Sequence, residues 1–274
     1  MGKKLSRAQV DHFQSKGYFA PVDAFSVDQA AFYAKEFQKV QALQPRYPDM
    51  NFNFKLNLLF KWADQVVHHP AILDAVEDLI GPDIRLFHST VFLKKPNDLA
   101  FIGWHQDATY FGLEPPEQVT AWIALTDASI EAGCMEVTVG SHKLGQLRHG
   151  QFKTAHNLLS KGQTVTVDFD HSNTEFMPVH PGQFSLHHTY LVHQSGPNRT
   201  AHPRVGMGLS YIPTRARCIG SMRLSAMLVR GVDRYGHFDD EPRPTVDCGA
   251  AERAVHTESV ARFKTSNDEQ ATKY

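Results

Sequence analysis

The stretch Arg85-Leu86-Phe87-His88-Ser89-Thr90-Val91-Phe92-Leu93-Lys94, closed by Lys95-Pro96, decides the fold class. β-Branched and aromatic side chains dominate it and a proline ends it, which is the composition of a strand. Similar runs follow at Val119 to Thr126, Met135 to Val139, Thr164 to Val167, Gln183 to His187, Thr189 to His193 and Val205 to Ile212. Many short strands without intervening helices predict an antiparallel sandwich or barrel, of which the jelly roll is one closure.

Upstream of this stretch the chain reads as helical over its first eighty residues. Ser6 is a suitable N-cap for a helix ending near Gly17, and Ser26 or Asp28 for one running to about Leu43. Pro70 to Ile80 has a clear amphipathic period, with proline in the first turn and Gly81 after the last. Downstream, Ala250 to Phe263 predicts one more helix, and the polar segment 264–274 predicts a flexible tail. The expected organisation is one domain: a helical part over 1–83, a β core over 84–217, an extension over 218–263 and the tail. Neither an internal repeat nor a low-complexity block is present.

The composition excludes several functional classes. With 274 residues, 42% hydrophobic and 21% charged, the chain has the make-up of a globular protein with a sizeable core. Twenty-eight basic residues nearly cancel 29 acidic ones, so charge alone would not hold a nucleic acid or an anionic membrane. A small-molecule partner is expected instead. The absence of a long apolar run and of an apolar leader in the first residues leads to the expectation of a cytoplasmic protein. Cys134, Cys218 and Cys248 are odd in number and far apart, which indicates reduced thiols rather than a disulfide framework. Gly2 with Ser6 fits a myristoylation pattern and Asn198-Arg199-Thr200 a glycosylation pattern, but both patterns are short enough to arise by chance. No oligomeric state is legible.

Chemistry concentrates in two segments. In Trp104-His105-Gln106-Asp107 an imidazole and a carboxylate stand at positions i and i+2. In an extended chain, alternation throws both to one face, roughly 7 Å apart at the backbone. The second segment is Leu186-His187-His188-Thr189-Tyr190-Leu191-Val192-His193-Gln194-Ser195-Gly196-Pro197-Asn198, followed by Arg204. Two histidines and one carboxylate on one face of an octahedral iron(II) leave three positions for a bidentate organic acid and dioxygen, whereas zinc prefers a closed or tetrahedral site. Arg204 offers a charged planar fork for a carboxylate, and Ser195 a hydroxyl donor. Spacing alone does not choose among His187, His188 and His193 as the second histidine.

Three blocks in order, WHQDATY, GCMEVTVGSHKLG and LVHQSGPNRTAHPR, resemble the phytanoyl-CoA hydroxylase (phytanoyl-CoA dioxygenase) family of Fe(II)/2-oxoglutarate oxygenases, with the likeness running from about Leu5 to Arg217. The resemblance implies a double-stranded β-helix, or jelly-roll, core with N-terminal helices packed on its major sheet. It implies His105, Asp107 and His193 as iron ligands, because the family places the distal histidine eleven residues before the co-substrate arginine, here Arg204. Ser195 and Trp122 become walls of the 2-oxoglutarate site by the same match. Fe(II), 2-oxoglutarate and O2 are thus the implied cofactor and co-substrates. Halogenating relatives carry Ala or Gly in place of the metal carboxylate; Asp107 therefore points to hydroxylation of an unactivated C–H bond, with release of succinate and CO2.

The substrate is the least legible part. Lys55, Asn57 and Lys61, with Arg215 and Arg217, are expected to place positive charge near the mouth, and Tyr110 to touch substrate. These residues suggest a small, polar, anionic substrate such as an amino acid, an aminophosphonate or a secondary metabolite. The alternatives are an acyl-CoA or lipid-like substrate with the same chemistry, a metal-dependent hydrolase or isomerase on the same barrel, and a non-catalytic metal-binding jelly-roll module.

Overall fold

The computed structural model describes residues 2–151, 154–159, 162–167, 169–170 and 172–270. Two sheets carry the site. The larger has seven strands in the spatial order Tyr18–Asp23, Gln183–His188, Val119–Ala124, Arg204–Pro213, Ile84–Lys94, Ser225–Arg230 and Asp239–Asp240. The smaller has four, in the order Ile102–His105, His193–Ser195, Met135–Thr138 and Thr174–Met177. Apart from the parallel contact at the Asp239–Asp240 edge, the pairings in both sheets are antiparallel, and together they form a jelly roll.

Alternation along the long central strands divides the interior in two. In Arg204–Pro213, Val205, Met207, Leu209 and Tyr211 join a hydrophobic cluster with the N-terminal helices, as do Ala121 and Ile123 of Val119–Ala124. The intervening Arg204, Gly208, Ser210, Thr120 and Trp122 face the space between the sheets and line a cavity there. Side chains on one strand alternate faces, so a strand buried on both sides carries the core on one face and the site on the other.

The helices on the outer face start where local chemistry dictates. Arg7–Lys16 and Val27–Ala42 each begin with a capping box, Ser6 with Gln9 and Ser26 with Gln29. Each serine cap contributes about 1 kcal/mol by satisfying an otherwise orphaned helical N–H. Gly17 ends the first helix at φ 88°, a left-handed conformation that favours glycine. Pro70–Ile80 buries Ile72, Leu73, Ala75, Val76 and Ile80 on one face.

Three readings of the chain need correcting. The first eighty residues are interrupted by the Tyr18–Asp23 strand, which pairs with Gln183–His188 at the sheet edge. The run read as a strand over Thr189 to His193 is a turn, and pairing begins only at His193, because the backbone of 188–191 is closed by Leu191 N–H donating to the His188 carbonyl. The C-terminal helix does not stop at Phe263: it spans Ala250–Gln270, and Ser266, Asn267 and Gln270 are buried where a flexible tail was expected. Their burial against the domain, rather than an amphipathic pattern, holds the last two turns. Residues 271–274 of the expected tail lie outside the described residues.

Candidate metal centre

Cross-strand register builds the first half of the site. His193 pairs directly with His105, and their rings stand 4.1 Å apart between centroids. Each ring is oriented by the same device. His105 Nδ1 lies 2.9 Å from the Gly103 carbonyl and His193 Nδ1 lies 2.9 Å from the Leu191 carbonyl. A carbonyl only accepts, so both Nδ1 atoms donate and both Nε2 atoms are the ones left to bind a metal.

Asp107 arrives by a route different from the one expected. The strand ends at His105, and Asp107 is the helical first residue before the short turn Ala108–Phe111, with φ −60° and ψ −36°. Buried Gln106 drives this break: its Nε2 donates to the Gly145 and Tyr190 carbonyls and its Oε1 accepts from Leu147 N–H. The carboxylate is then set by two donors on one oxygen. Thr120 Oγ1 donates to Asp107 Oδ2 at 2.9 Å and His187 Nε2 at 3.2 Å, while Gln118 Nε2 donates to the Thr120 hydroxyl. Oδ1 remains, 3.7 Å from His105 Nε2 and 3.8 Å from His193 Nε2. One ligand atom from each of the three residues falls within 4.8 Å of the others.

The charge state matches that geometry. Burial alone would raise the Asp107 pKa, but His105, His187 and His193 outweigh it and hold the carboxyl well below its usual range. Burial, with His105 and His187 nearby, keeps His193 well below the ordinary imidazole value. Two imidazoles and one carboxylate suit a divalent ion of the iron type, and three protein ligands would leave such an ion free to take further ones. His187 is a hydrogen-bond partner of Asp107, and neither it nor His188 belongs to the group of three side chains that could hold a metal ion.

Arg204 supplies the second half. It is 2% exposed, and its guanidinium lies over the Trp122 ring, 4.5 Å from the centroid. Nη2 approaches Ser195 Oγ at 3.5 Å, whereas Nε and Nη1 are buried with no hydrogen-bond partner among the described residues. Burial lowers its pKa to about 10, so it stays cationic at neutral pH. Buried Lys94, missed in the sequence reading, holds the Ser195 segment in place: its Nζ contacts Ser195 Oγ and the Gly196 carbonyl, and lies 3.1 Å from the Ser195 carbonyl. Orphaned donors on a buried cation are what an anionic co-substrate of carboxylate type would satisfy.

His105, Asp107, His187, His193, Thr120, Trp122, Ser195 and Arg204 all line one cavity of about 490 Å³ between the sheets. An open surface hollow between residues 46–50 and 253–261 shares no residue with it. A family model described as phytanoyl-CoA dioxygenase (PhyH) matches residues 13–206. The chain belongs to the phytanoyl-CoA dioxygenase family of Fe(II)/2-oxoglutarate oxygenases. Fe(II) and 2-oxoglutarate are therefore the cofactor and co-substrate, and the donor set fits both.

Several known proteins are similar to this chain in sequence or fold. A probable alpha-ketoglutarate-dependent hypophosphite dioxygenase of Stutzerimonas stutzeri is 28% identical over 185 residues, 67% of this chain and 60% of its own. The 1-deoxypentalenic acid 11-beta-hydroxylase of Streptomyces exfoliatus is 30% identical over 169 residues, 58% of each chain. The matches thus span about three fifths of these two curated relatives. Among solved structures, the non-heme monooxygenase ThoJ in its apo form superposes with TM-score 0.86 at 32% identity, over 97% of this chain and 100% of that one. CytC3 with Fe(II) and alpha-ketoglutarate has the same fold, with TM-score 0.66 at 22% identity over 86% of this chain and 93% of its own.

The expected substrate residues divide sharply. Tyr110 lines the cavity, 6.1 Å from the His105 ring between centroids. Lys55 and Asn57 do not line it: both are buried behind the wall, where Lys55 Nζ is paired with Glu241 at 2.5 Å and Asn57 accepts from Ser89. Arg215 pairs with Glu117 and Arg217 with Glu114 at the surface, and Lys61 is exposed. A buried charge keeps a partner, and here the partners are the protein's own carboxylates. Thr120, His187, Lys94 and the C-terminal residues Phe263 and Asn267 were not assigned roles from the sequence. Only His187 carried a signal, its proximity to His193.

Proposed function

We propose that the protein hydroxylates an unactivated C–H bond of a small molecule while converting 2-oxoglutarate to succinate and CO2. In this reading His105 Nε2, Asp107 Oδ1 and His193 Nε2 hold iron(II), which supplies the activation of dioxygen coupled to decarboxylation of the co-substrate. Arg204 takes the far carboxylate of 2-oxoglutarate through Nε and Nη1, with Trp122 beneath it and the Ser195 hydroxyl beside it. Thr120 and His187 occupy Asp107 Oδ2, so the carboxylate presents its other oxygen to the metal. Because Asp107 fills the third protein position, chloride has no vacated carboxylate site, and hydroxylation is favoured over halogenation.

One observation supports this reading: three side chains with convergent atoms that could hold a metal share a cavity with a buried arginine whose Nε and Nη1 have no partner among the described residues. The test is succinate formation from 2-oxoglutarate, followed by mass spectrometry with Fe(II) in air and under nitrogen. Formation that depends on both iron and oxygen is expected. Equal formation under nitrogen, or none in air with a broad panel of small molecules, overturns the proposal. The earlier preference for an anionic substrate loses its footing, because the lysine and arginine on which it stood lie outside the cavity.

A further inference from the structure

The cavity wall away from the ligand set is aromatic and uncharged. Among the described residues, Asp107 and Arg204 are the only Asp, Glu, Lys or Arg lining the cavity. Phe263 stands at the centre of that wall: His88 stacks on it at 3.9 Å between centroids, and Phe111 and Phe54 meet it at 6.0 and 6.2 Å. These neighbours fix the ring, so the wall is preformed.

Among the polar side chains on it are Tyr110 and Asn267, beside the stacked His88, whose Nδ1 is likewise buried without a hydrogen-bond partner among the described residues. Tyr110 and Asn267 each line the cavity, each is 9% exposed, and the Tyr110 hydroxyl and Asn267 Oδ1 are buried without a hydrogen-bond partner among the described residues. A buried polar atom left unpaired costs stability, so a pair of them facing a cavity marks what its ligand must offer. The phenol can donate, and the amide oxygen can only accept. Phe263 and Asn267 stand four residues apart on the C-terminal helix, hence on one face of it. Both lie beyond the family match, which ends at residue 206.

We infer that the C-terminal helix is the specificity wall of this enzyme, and that it takes an uncharged planar group with one hydrogen-bond acceptor and one donor. A conjugated ring bearing a carboxamide or lactam has this chemistry: the ring packs on Phe263, the carbonyl accepts from Tyr110 and the N–H donates to Asn267. A carboxylate in the same place would be desolvated with no counter-charge and would meet the Asn267 oxygen as a second acceptor. The inference rests on the cavity being the substrate site of the proposed oxygenase.

The experiment is a calorimetric titration of the full chain, loaded anaerobically with Fe(II) and 2-oxoglutarate, with naphthalene-2-carboxamide and with naphthalene-2-carboxylate. The two probes share a shape and differ in charge and in the donor. The amide is expected to bind at least about tenfold more tightly. Asn267→Leu and Tyr110→Phe should each weaken amide binding about three- to tenfold, the range of one hydrogen bond, without changing the affinity for 2-oxoglutarate. Equal binding of the two probes, no saturable binding of either, or an undiminished amide preference in Asn267→Leu overturns the inference. Because 2-oxoglutarate is titrated first, its failure to bind would sink the oxygenase reading, whereas its binding with failure of the probes sinks only this one.

Discussion

The Arg204 guanidinium carbon sits over the Trp122 indole, 4.5 Å from the ring centroid, with Nε and Nη1 left without partners among the described residues. The ring fixes the plane of the fork and so the direction in which it can grip a carboxylate. Replacing Arg204 by Ala should weaken 2-oxoglutarate binding by about 2–3 kcal/mol, the loss of a charge-assisted pair. Arg204→Lys should recover little of it, since a point charge on a flexible stem has neither the fork nor the stacking. Titration of the co-substrate into each variant checks this, and a lysine variant with native affinity would contradict it.

Trp122 is itself held by the absence of a side chain. A Cβ added at Gly206 would run into the indole ring of Trp122. Gly206→Ala should therefore destabilise the protein by about 1–3 kcal/mol through overpacking and weaken co-substrate binding as the ring shifts. Urea unfolding measures the first effect, and a variant as stable as the parent would show that the ring moves freely.

In the proposed site, Thr120 would act on the metal through Asp107. Thr120→Val removes the donor 2.9 Å from Oδ2 while keeping the side-chain volume. Loss of such a supporting hydrogen bond typically costs 10- to 100-fold in metal affinity, here about that range. Competition of Fe(II) against a chromophoric chelator reads it, and unchanged affinity would mean that His187 suffices.

Sensitivity to acid follows from buried neutral histidines. Burial pushes both His149 and His188 down to about 4, and His149 is locked neutral, with Nδ1 donating to the Leu147 carbonyl and Nε2 accepting from Gln106 N–H. The unfolded chain takes up these protons near the ordinary histidine value of about 6.5 while the folded chain does not until about 4. Stability is thus present above about pH 6.5 and falls as the pH drops towards 4, because the unfolded state binds more protons there. His149→Gln should reduce the slope of the unfolding free energy against pH by about one proton in that window. An unchanged slope would mean that His149 titrates normally in the folded state.

Much of this was legible in the sequence for physical reasons that can be named. The helix starts at Ser6 and Ser26 and the stop at Gly17 were readable because caps are local chemistry. The long strands 84–94 and 204–213 were readable because β-branched and aromatic runs between breakers have few other uses. Spacing brought His105, Asp107 and His193 forward as candidates, and the family resemblance chose among the histidines. Less legible was anything set by distant contacts. Asp107 was expected to share a strand face with His105, but Gln106, anchored by three backbone groups far away in sequence, breaks the strand between them. Lys55 looked like a surface charge because its carboxylate partner, Glu241, is 186 residues away. The last turns of the C-terminal helix are polar enough to pass for a tail, and their burial depends on the domain against which they pack.

The proposed chemistry requires one ferrous ion held by His105, Asp107 and His193. Anaerobic titration of Fe(II) into the metal-free protein and into Asp107→Ala and His193→Ala, with circular dichroism to confirm folding, tests that arrangement. One ion per chain is predicted for the parent, with affinity falling at least about tenfold in each folded variant. Native affinity in folded His193→Ala would contradict it, since the ion would then be bound elsewhere.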